Sequence, residues 1–525
     1  MDTKALRQKV LDLAIRGKLV PQDPNDEPAS VLLERIRQQK RQMVKDGKLK
    51  AKDIKNDTII FVGDDNLHYE KFADGSVKCI EDEIRFELPE GWAWARLVSL
   101  SSVITDGEHK TPRRINEFQG YYLLSARNIQ NGFLSLVDVD FVDKSEFEKI
   151  SKRCNPKDND VLISCSGSIG RVAVVNDGND YVMVRSAAMV RPVSINPYYL
   201  MFALRSGQLQ TQMQKASKQT AQANLFLGAI QSLLVPVPPK AEAQRITQVA
   251  GQAISVVNEI EENRESASRT ILQVKAKILD LAIRGQLVPQ DPADEPASVL
   301  LERIRAEKEE LIKQGKIKRD KKESVIFRGE DNSYYEKIGD KVENISDEIP
   351  FELPDEWMWC RGQSCFDGMV STKPQGEFFD YIDIDAIDNR LHRIKTAKHL
   401  PVSEAPSRAS RAVKTGSVLF SLVRPYLENI ALVEETHSHC IASTGFYVCN
   451  SNGILLPEFM FFLMISDYVV NGLNQYMKGD NSPSISKDNI ESWLYPIPPM
   501  AEQEAICVKL KRAFSLIERV EKSLS

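Results

Sequence analysis

Leu11–Arg37 reads LDLAIRGKLVPQDPNDEPASVLLERIR, and Leu279–Arg305 reads LDLAIRGQLVPQDPADEPASVLLERIR. Only two of the 27 positions differ, Lys18/Gln286 and Asn25/Ala293, at an offset of 268. Two more pairs extend the match. Glu83–Trp94 (EIRFELPEGWAW) matches Glu348–Trp359 (EIPFELPDEWMW), and Val235–Ile246 (VPVPPKAEAQRI) matches Tyr495–Ile506 (YPIPPMAEQEAI), at offsets of 265 and 260. One unit is therefore used twice, and a period this long marks a domain duplication, not a solenoid. Residues 97–234 and 362–494, between the shared blocks, have little in common. Drift would erode frame and insert alike. A nearly unchanged frame around unlike inserts predicts one scaffold presenting two different readers.

The chain has 525 residues and a net charge of −5, with 42% hydrophobic and 27% charged residues. That composition excludes a disordered chain, a collagen-like repeat and a disulfide scaffold. No stretch reaches the roughly 20 apolar residues that span a bilayer; the densest is Phe459–Ile465. Met1–Arg7 alternates charge and lacks an apolar signal core, so a cytoplasmic protein is expected. The eight cysteines include no CxxC pair and read as reduced core residues. His437, His439, Cys440 and Cys449 cluster in sequence, but their spacing fits no zinc-finger pattern and their flanks read as strands. No metal is expected.

Apolar or small residues recur at Ile246, Val249, Ala253, Val256, Ile260, Ala267, Ile271, Val274, Ile278 and Leu281. The spacing predicts a helix over 241–284 with a coiled-coil seam, ended by Gly285. Ile506, Leu510, Ala513, Ile517, Val520 and Leu524 repeat its first part, and Leu6, Val10 and Leu13 before Gly17 repeat its second. The architecture is cyclic in sequence, so the two terminal helices are expected to lie antiparallel to the central one with approximate two-fold symmetry. Each LVPQDP turn leads into a charged helix, 28–55 and 296–322, with few apolar positions, expected to be solvated or partner-facing. Runs such as Lys40-Arg41 read as solvated surface.

The inserts read as mixed α and β. Val161–Ser164, Arg171–Val175 and Tyr181–Arg191 have strand composition, and Tyr198–Leu204 and Leu456–Ile465 read as short buried helices. The fold class is thus α+β: two globular domains joined by long helices. The divisions expected are 1–17 (terminal helix), 18–82 (linker and charged helix), 83–240 (first recognition domain), 241–285 (central helix), 286–347 (linker and charged helix), 348–500 (second recognition domain) and 501–525 (terminal helix).

Catalytic signatures are missing. Asn196-Pro197-Tyr198-Tyr199 is similar to the base-holding loop of amino-methyltransferases, but no glycine-rich cofactor loop accompanies it, and a helix start with proline in its first turn explains it better. Gly167–Gly170 is too short for a phosphate-binding fingerprint. No Walker lysine, nuclease carboxylate set or Ser/His/Asp arrangement stands out, which points to a non-catalytic chain.

Net acidity argues on its face against nucleic acid, yet the charge is uneven. Residues 97–240 carry 16 Lys+Arg against 12 Asp+Glu, and 181–241 hold no acidic residue. Residues 361–500 are the reverse, with 12 Lys+Arg against 15 Asp+Glu. Arg suits guanine, Asn or Gln suits adenine, and Lys, Ser and Thr suit phosphate. On that chemistry the DNA-contact candidates of the first insert are His109, Lys110, Thr111, Arg113, Arg114, Arg127, Ser166, Ser168, Arg171, Lys218, Gln219, Thr220, Gln222 and Asn224. In the second they are Thr372, Lys373, Arg424, Tyr426, Lys478, Ser482, Ser484 and Lys487.

In this order and twice over, the LDLAIRGxLVPQDP block, the FELPEGWAW/FELPDEWMW lead-ins, the DGEHKTP turn, SGSIGRVAVV, LVRPYLENIALV at 422–433 and the proline-rich exits resemble the DNA-specificity (S) subunit of Type I restriction–modification systems. The resemblance covers nearly the whole chain. It implies two target-recognition domains that each read half of a split, asymmetric site in double-stranded DNA, with the helices as an antiparallel coiled-coil ruler. It implies docking of two methyltransferase subunits and two restriction subunits. The chain would hold no cofactor of its own: S-adenosylmethionine belongs to the methyltransferase partner, ATP and magnesium to the restriction partner. The charged segments 28–60 and 296–327 go beyond the family's minimal plan. The alternative is a duplicated protein-binding scaffold without direct DNA contact.

Overall fold

The computed structural model describes residues 2–115, 120–217, 223–316 and 323–524. It divides into two compact units, Met1–Asn263 and Arg264–Ser525, and mixes helices with short strands throughout. Among the described residues no helix is long and apolar enough to cross a membrane.

The boundary between the units falls inside one helix, Lys240–Ile283, of 44 residues. Its length follows from the absence of proline after Pro239 and from Gly285, which takes φ +67° and stops it. The buried line differs from the expected seam. Ile246, Ala250 and Ile254 are buried against the first unit's core and Val257 is buried after them, whereas Val249 and Val256 are exposed. An i, i+4 row fits the curved surface of the reader it leaves, and the 3,4 alternation points a step away from it.

Within the first unit, helix Thr3–Ile15 runs antiparallel to the start of the long helix. Arg7 bonds Asn258 at 2.8 Å and Glu261 at 2.7 Å. Within the second, helix Met500–Leu524 meets the end of the long helix through Lys275 and Glu521 at 3.0 Å. Each long segment is also stapled to its reader: Trp92 donates its indole N–H to Glu242 at 2.9 Å, and Trp357 to Glu502 at 2.7 Å. Gly17 and Gly285, at φ +62° and +67°, end their helices against proline, and a Cβ there would lie 2.5 Å from Pro89 and 2.4 Å from Pro354.

The charged helices are Ala29–Lys45 and Ala297–Lys313, and they are not solvated all round. Ala29, Leu32, Ile36 and Lys40, at helical spacing, form a buried stripe. Lys40, expected on the surface, is 1% exposed. Its ammonium bonds Asp57 at 2.6 Å and the Val98 carbonyl at 2.8 Å. Burial pushes the lysine down and the Asp57 carboxyl up, each partly offset by the other's charge.

The supposed linkers also fold. Ile59–Val62, His68–Lys71 and Val77–Cys79 form a three-stranded antiparallel sheet. Ser324–Arg328, Tyr334–Ile338 and Lys341–Asn344 form its counterpart. A buried arginine ties each sheet to the reader: Arg96 pairs with Glu70 and Glu83, Arg361 with Glu336 and Glu348.

The two readers share a topology that their sequences hide. In the first, Val161–Ser164 lies between Val172–Val174 and Ala187–Pro192, all antiparallel, and Tyr181–Met183 pairs parallel with Tyr121–Leu124. In the second, Val418–Ser421 lies between Ile430–Leu432 and Phe446–Cys449, again antiparallel, and Ile441–Ser443 pairs parallel with Phe378–Ile382. The stretch expected as a single strand, Tyr181–Arg191, is two strands in different sheets, interrupted at Val184–Ser186. The buried helices are Pro197–Arg205 and Pro457–Met464. Asn196 caps the first, accepting from the backbone N–H of Tyr198 at 2.9 Å and Tyr199 at 3.2 Å, so this motif is a helix start. All eight cysteines are free, and only Cys79 is exposed. Among the described residues no His/Cys/Asp/Glu group of three or more could hold a metal ion.

Candidate nucleic-acid interface

Strand register decides where the candidate residues gather. Ala187 sits opposite Ser164, and Ala188 opposite Asp106. The chain therefore leaves two strands and joins the third at one end of one sheet. Turns 106–114, 164–171 and 184–186 all project there. Backbone bonds lock them together. The Cys165 N–H donates to the Ser186 carbonyl at 2.7 Å, the Leu225 N–H to the Cys165 carbonyl at 2.8 Å, and the Glu108 N–H to the Met183 carbonyl at 2.7 Å. Ser166 bridges Asn224. The Ala126 N–H donates to the Ser186 hydroxyl at 3.0 Å, which brings in the turn with Arg127. Inside 164–171, the Ser164 hydroxyl donates to the Ser168 carbonyl at 2.5 Å and accepts from the Arg171 N–H at 2.9 Å.

His109, Lys110, Thr111, Arg113, Arg114, Arg127, Ser166, Ser168, Arg171 and Asn224 thus share one end of the reader. Lys218, Gln219, Thr220 and Gln222 lie outside the described residues. The cations divide into two sets. Asp106 holds His109 at 2.7 Å and also binds Arg153. Burial works against its charge, but those two partners keep its carboxyl below the usual range. Asp140 holds both Arg114 and Arg127 at 2.9 Å. By contrast Lys110, Arg113 and Arg171 make no ion pair among the described residues, nor does the exposed Arg185. Arg153 and Arg185 escaped sequence reading. Arg185 was hidden inside what read as one strand, though the Arg-Ser step before Ala-Ala is the only polar break in it.

The second reader builds the same cluster from other residues. The Leu422 N–H donates to the Gly445 carbonyl at 2.8 Å, and the Ile485 N–H to the Leu422 carbonyl at 2.9 Å. Val423 bridges Ser484, which itself pairs with Lys478. Arg424 adopts φ +48°, its N–H donating to the Pro483 carbonyl at 2.7 Å and its guanidinium to the Asn481 carbonyl at 3.0 Å. Arg424, Tyr426, Lys478, Ser482 and Ser484 are therefore together. Thr372 donates its N–H to the Ser410 carbonyl at 3.0 Å, and Thr444 to Arg408 at 2.8 Å, which places Thr372 and Lys373 near the same end. Lys487 is set apart: it opens helix Lys487–Ser492 and pairs with Glu491 at 3.4 Å. Tyr426 and Tyr476, each 46% exposed, offer stacking faces; Tyr476 carried no signal in sequence.

Two units of one topology, each carrying this three-loop cluster on a repeated frame, define a tandem reader built by duplication. Residues 89–267 match the family described as the Type I restriction modification DNA specificity domain. The EcoAI specificity subunit of Escherichia coli is 26% identical, covering 97% of this chain and 88% of that one. The EcoEI specificity subunit of the same organism is also 26% identical, covering 99% and 90%. Among solved structures, an HsdS subunit from Thermoanaerobacter tengcongensis is 34% identical over 33% of this chain and 46% of that one, with a TM-score of 0.32. The chain is thus similar over nearly its whole length to Type I restriction enzyme specificity subunits, and it carries the DNA specificity domain of that kind at residues 89–267.

Proposed function

We propose that this chain is a Type I DNA-specificity subunit in which each unit reads one half of a bipartite, asymmetric DNA site and the helical frame sets the distance between the halves. The observation carrying this reading is the repeated loop cluster: equivalent backbone bonds hold unlike side chains at the same end of two equivalent sheets. Lys110, Arg113 and Arg171 in one reader, and Lys373, Arg424 and Lys478 in the other, make no ion pair among the described residues and supply phosphate and base-edge donors. A scaffold that binds only proteins gives no reason for two unlike sets of donors on identical mounts, and it is not favoured.

The 44-residue helix measures about 65 Å at 1.5 Å per residue, which matches about two turns of duplex at 34–36 Å each. On this reading the frame helices form an antiparallel coiled coil with approximate two-fold symmetry and dock two methyltransferase subunits, followed by two restriction subunits. The chain itself is non-catalytic and cytoplasmic. It holds no cofactor; S-adenosylmethionine is bound by the methyltransferase, and ATP with magnesium by the restriction subunit. The outer faces of the charged helices are contacts for these partners, and deleting those helices should impair assembly.

The test is methylome sequencing of cells carrying this chain and its methyltransferase. One bipartite motif is expected, and replacing residues 97–234 by the insert of a relative should change one half only. Adding residues to the 241–284 helix should alter the spacer and spare both half-sites. A motif that ignores both changes would overturn the reading.

A further inference from the structure

Three arginines that are buried or partly buried among the described residues meet carboxylates. Arg96, 8% exposed, meets Glu70 and Glu83. Arg361 meets Glu336 and Glu348, and Arg191 meets Asp160 at 2.6 Å. Arg205 breaks the pattern. It is the last residue of helix Pro197–Arg205 and only 6% exposed. Among the described residues its guanidinium makes no hydrogen bond or ion pair. Its charged neighbour is another cation, Arg7, already neutralised by Glu261 at 2.7 Å. Burial first, then Arg7, pushes Arg205 down to about 10, which still leaves it charged at neutral pH. Yet none of its nitrogens is among the unpartnered atoms sealed from solvent. The stem is buried and the donors reach outward.

They reach out beside the recognition loops. A Cβ on Gly132 would lie 3.0 Å from Arg205 Nη1, and the Gly132 N–H donates to the Val172 carbonyl at 2.9 Å, next to Arg171. On the other side Gln210 donates to both the Gly170 and the Leu204 carbonyls at 2.8 Å. The side chain therefore comes out at the flank of loop 164–171. An uncompensated buried guanidinium is costly to keep, and its open donors are the complement of an oxyanion. We propose that Arg205 binds a backbone phosphate of the DNA seated on the first reader's loops, so that the nucleic acid completes the ion pair the protein leaves open. This rests on the DNA-reading function above. The second reader lacks the device: Ser206 and Ser466 each bond back to the third residue before them, which makes Ile465 the counterpart of Arg205.

The full chain assembled with its methyltransferase subunits provides the test, using a duplex with the motif methylated in cells and a scrambled duplex of equal length. Arg205→Met should weaken binding to both about tenfold and lower the log–log salt slope by about one, the signature of one lost phosphate contact. The methylated motif should stay the same, and the melting temperature should hold or rise, because an unpaired buried charge is gone. Arg205→Lys should keep the slope. A Met variant with unaltered affinity and slope would overturn the assignment, as would a lowered melting temperature with unaltered slope, which marks a structural role. Intact DNA binding with weakened methyltransferase assembly would overturn it too, naming a partner carboxylate as the anion. If the unaltered assembly binds neither duplex in a salt-dependent way, the DNA-reading function itself falls, and the Arg205 assignment with it.

Discussion

The two recognition-loop clusters have the same skeleton and opposite surroundings. In the first unit, loop 164–171 is small and polar, and it lies within residues 97–240, which carry an excess of four positive charges. In the second, loop 421–429 carries Arg424, Tyr426 and Glu428 within residues 361–500, which carry an excess of three negative charges. Yet Cys165 and Leu422 make the same pair of backbone bonds, to Ser186 and Leu225 in one case and to Gly445 and Ile485 in the other. The difference teaches that the mount is built from main chain. Backbone N–H and carbonyl groups are common to every residue but proline, so side chains at the tips are free to diverge without loosening the loops.

The comparison is broken most severely by making the readers alike. Replacing residues 97–234 by a copy of 362–494 should abolish methylation of the native site and create a symmetric one with two copies of the second half. Methylome sequencing decides this, and retention of the original asymmetric motif would show that the inserts do not divide the labour. Next in size is a stability difference. Lys40–Asp57 is sealed in the first unit, whereas its counterpart Lys308–Glu323 is about a quarter exposed. Asp57→Ala strands a buried ammonium and should cost about 3 kcal/mol, but Glu323→Ala should cost less than about 1 kcal/mol. Chemical denaturation of each variant checks the asymmetry, which equal losses would contradict.

Arg171→Ala and Arg424→Ala sharpen the comparison at the level of single contacts. Each should cost about 1–3 kcal/mol of discrimination if it reads a base, and each should relax a different half of the motif. Competition binding with half-site variants measures this. The smallest effect is acid sensitivity. The Asp106 and Asp380 carboxyls are both held below the usual range, the first by Arg153 and His109 against the opposing effect of burial, the second by His399 and His439. A depressed folded value means the contribution is full above pH ~4 and is lost as pH falls through the lowered value. Hydrogen exchange at residues 106–110 should quicken below pH ~4, and Asp106→Asn should remove that dependence, an effect of a few tenths of a kcal/mol for partly exposed groups.

Much of the architecture was legible because repetition is visible without any knowledge of packing. The duplicated block, the long proline-free helix and the Val161–Ser164 strand all appear where expected. The three-stranded sheets at 59–79 and 324–344 were missed because their strands are three to five residues long and half exposed, which leaves little alternation to detect. The seam on the long helix was read one step off because Val249 and Val256 are as apolar as the buried Ile254 and Val257. Periodicity does not tell which row faces a neighbour. At the interface, residue type found the loops, but pairing is a matter of three dimensions. Nothing in sequence says that Asp140 occupies Arg114 and Arg127 while Arg113 makes no ion pair among the described residues, or that Arg205 is buried with no counter-ion among them.

Gly17 and Gly285 carry one more consequence, for how such a chain evolves. Each is wedged under a proline with no room for a single carbon. A saturation mutagenesis library scored by methylation in cells should therefore show a sharp relief map. At these two positions every substitution should be lost, and at the loop tips nearly all should survive with altered targets. Novelty in what is read would then accumulate at no cost to folding, and the points of intolerance would mark where one reader can be spliced out and another put in.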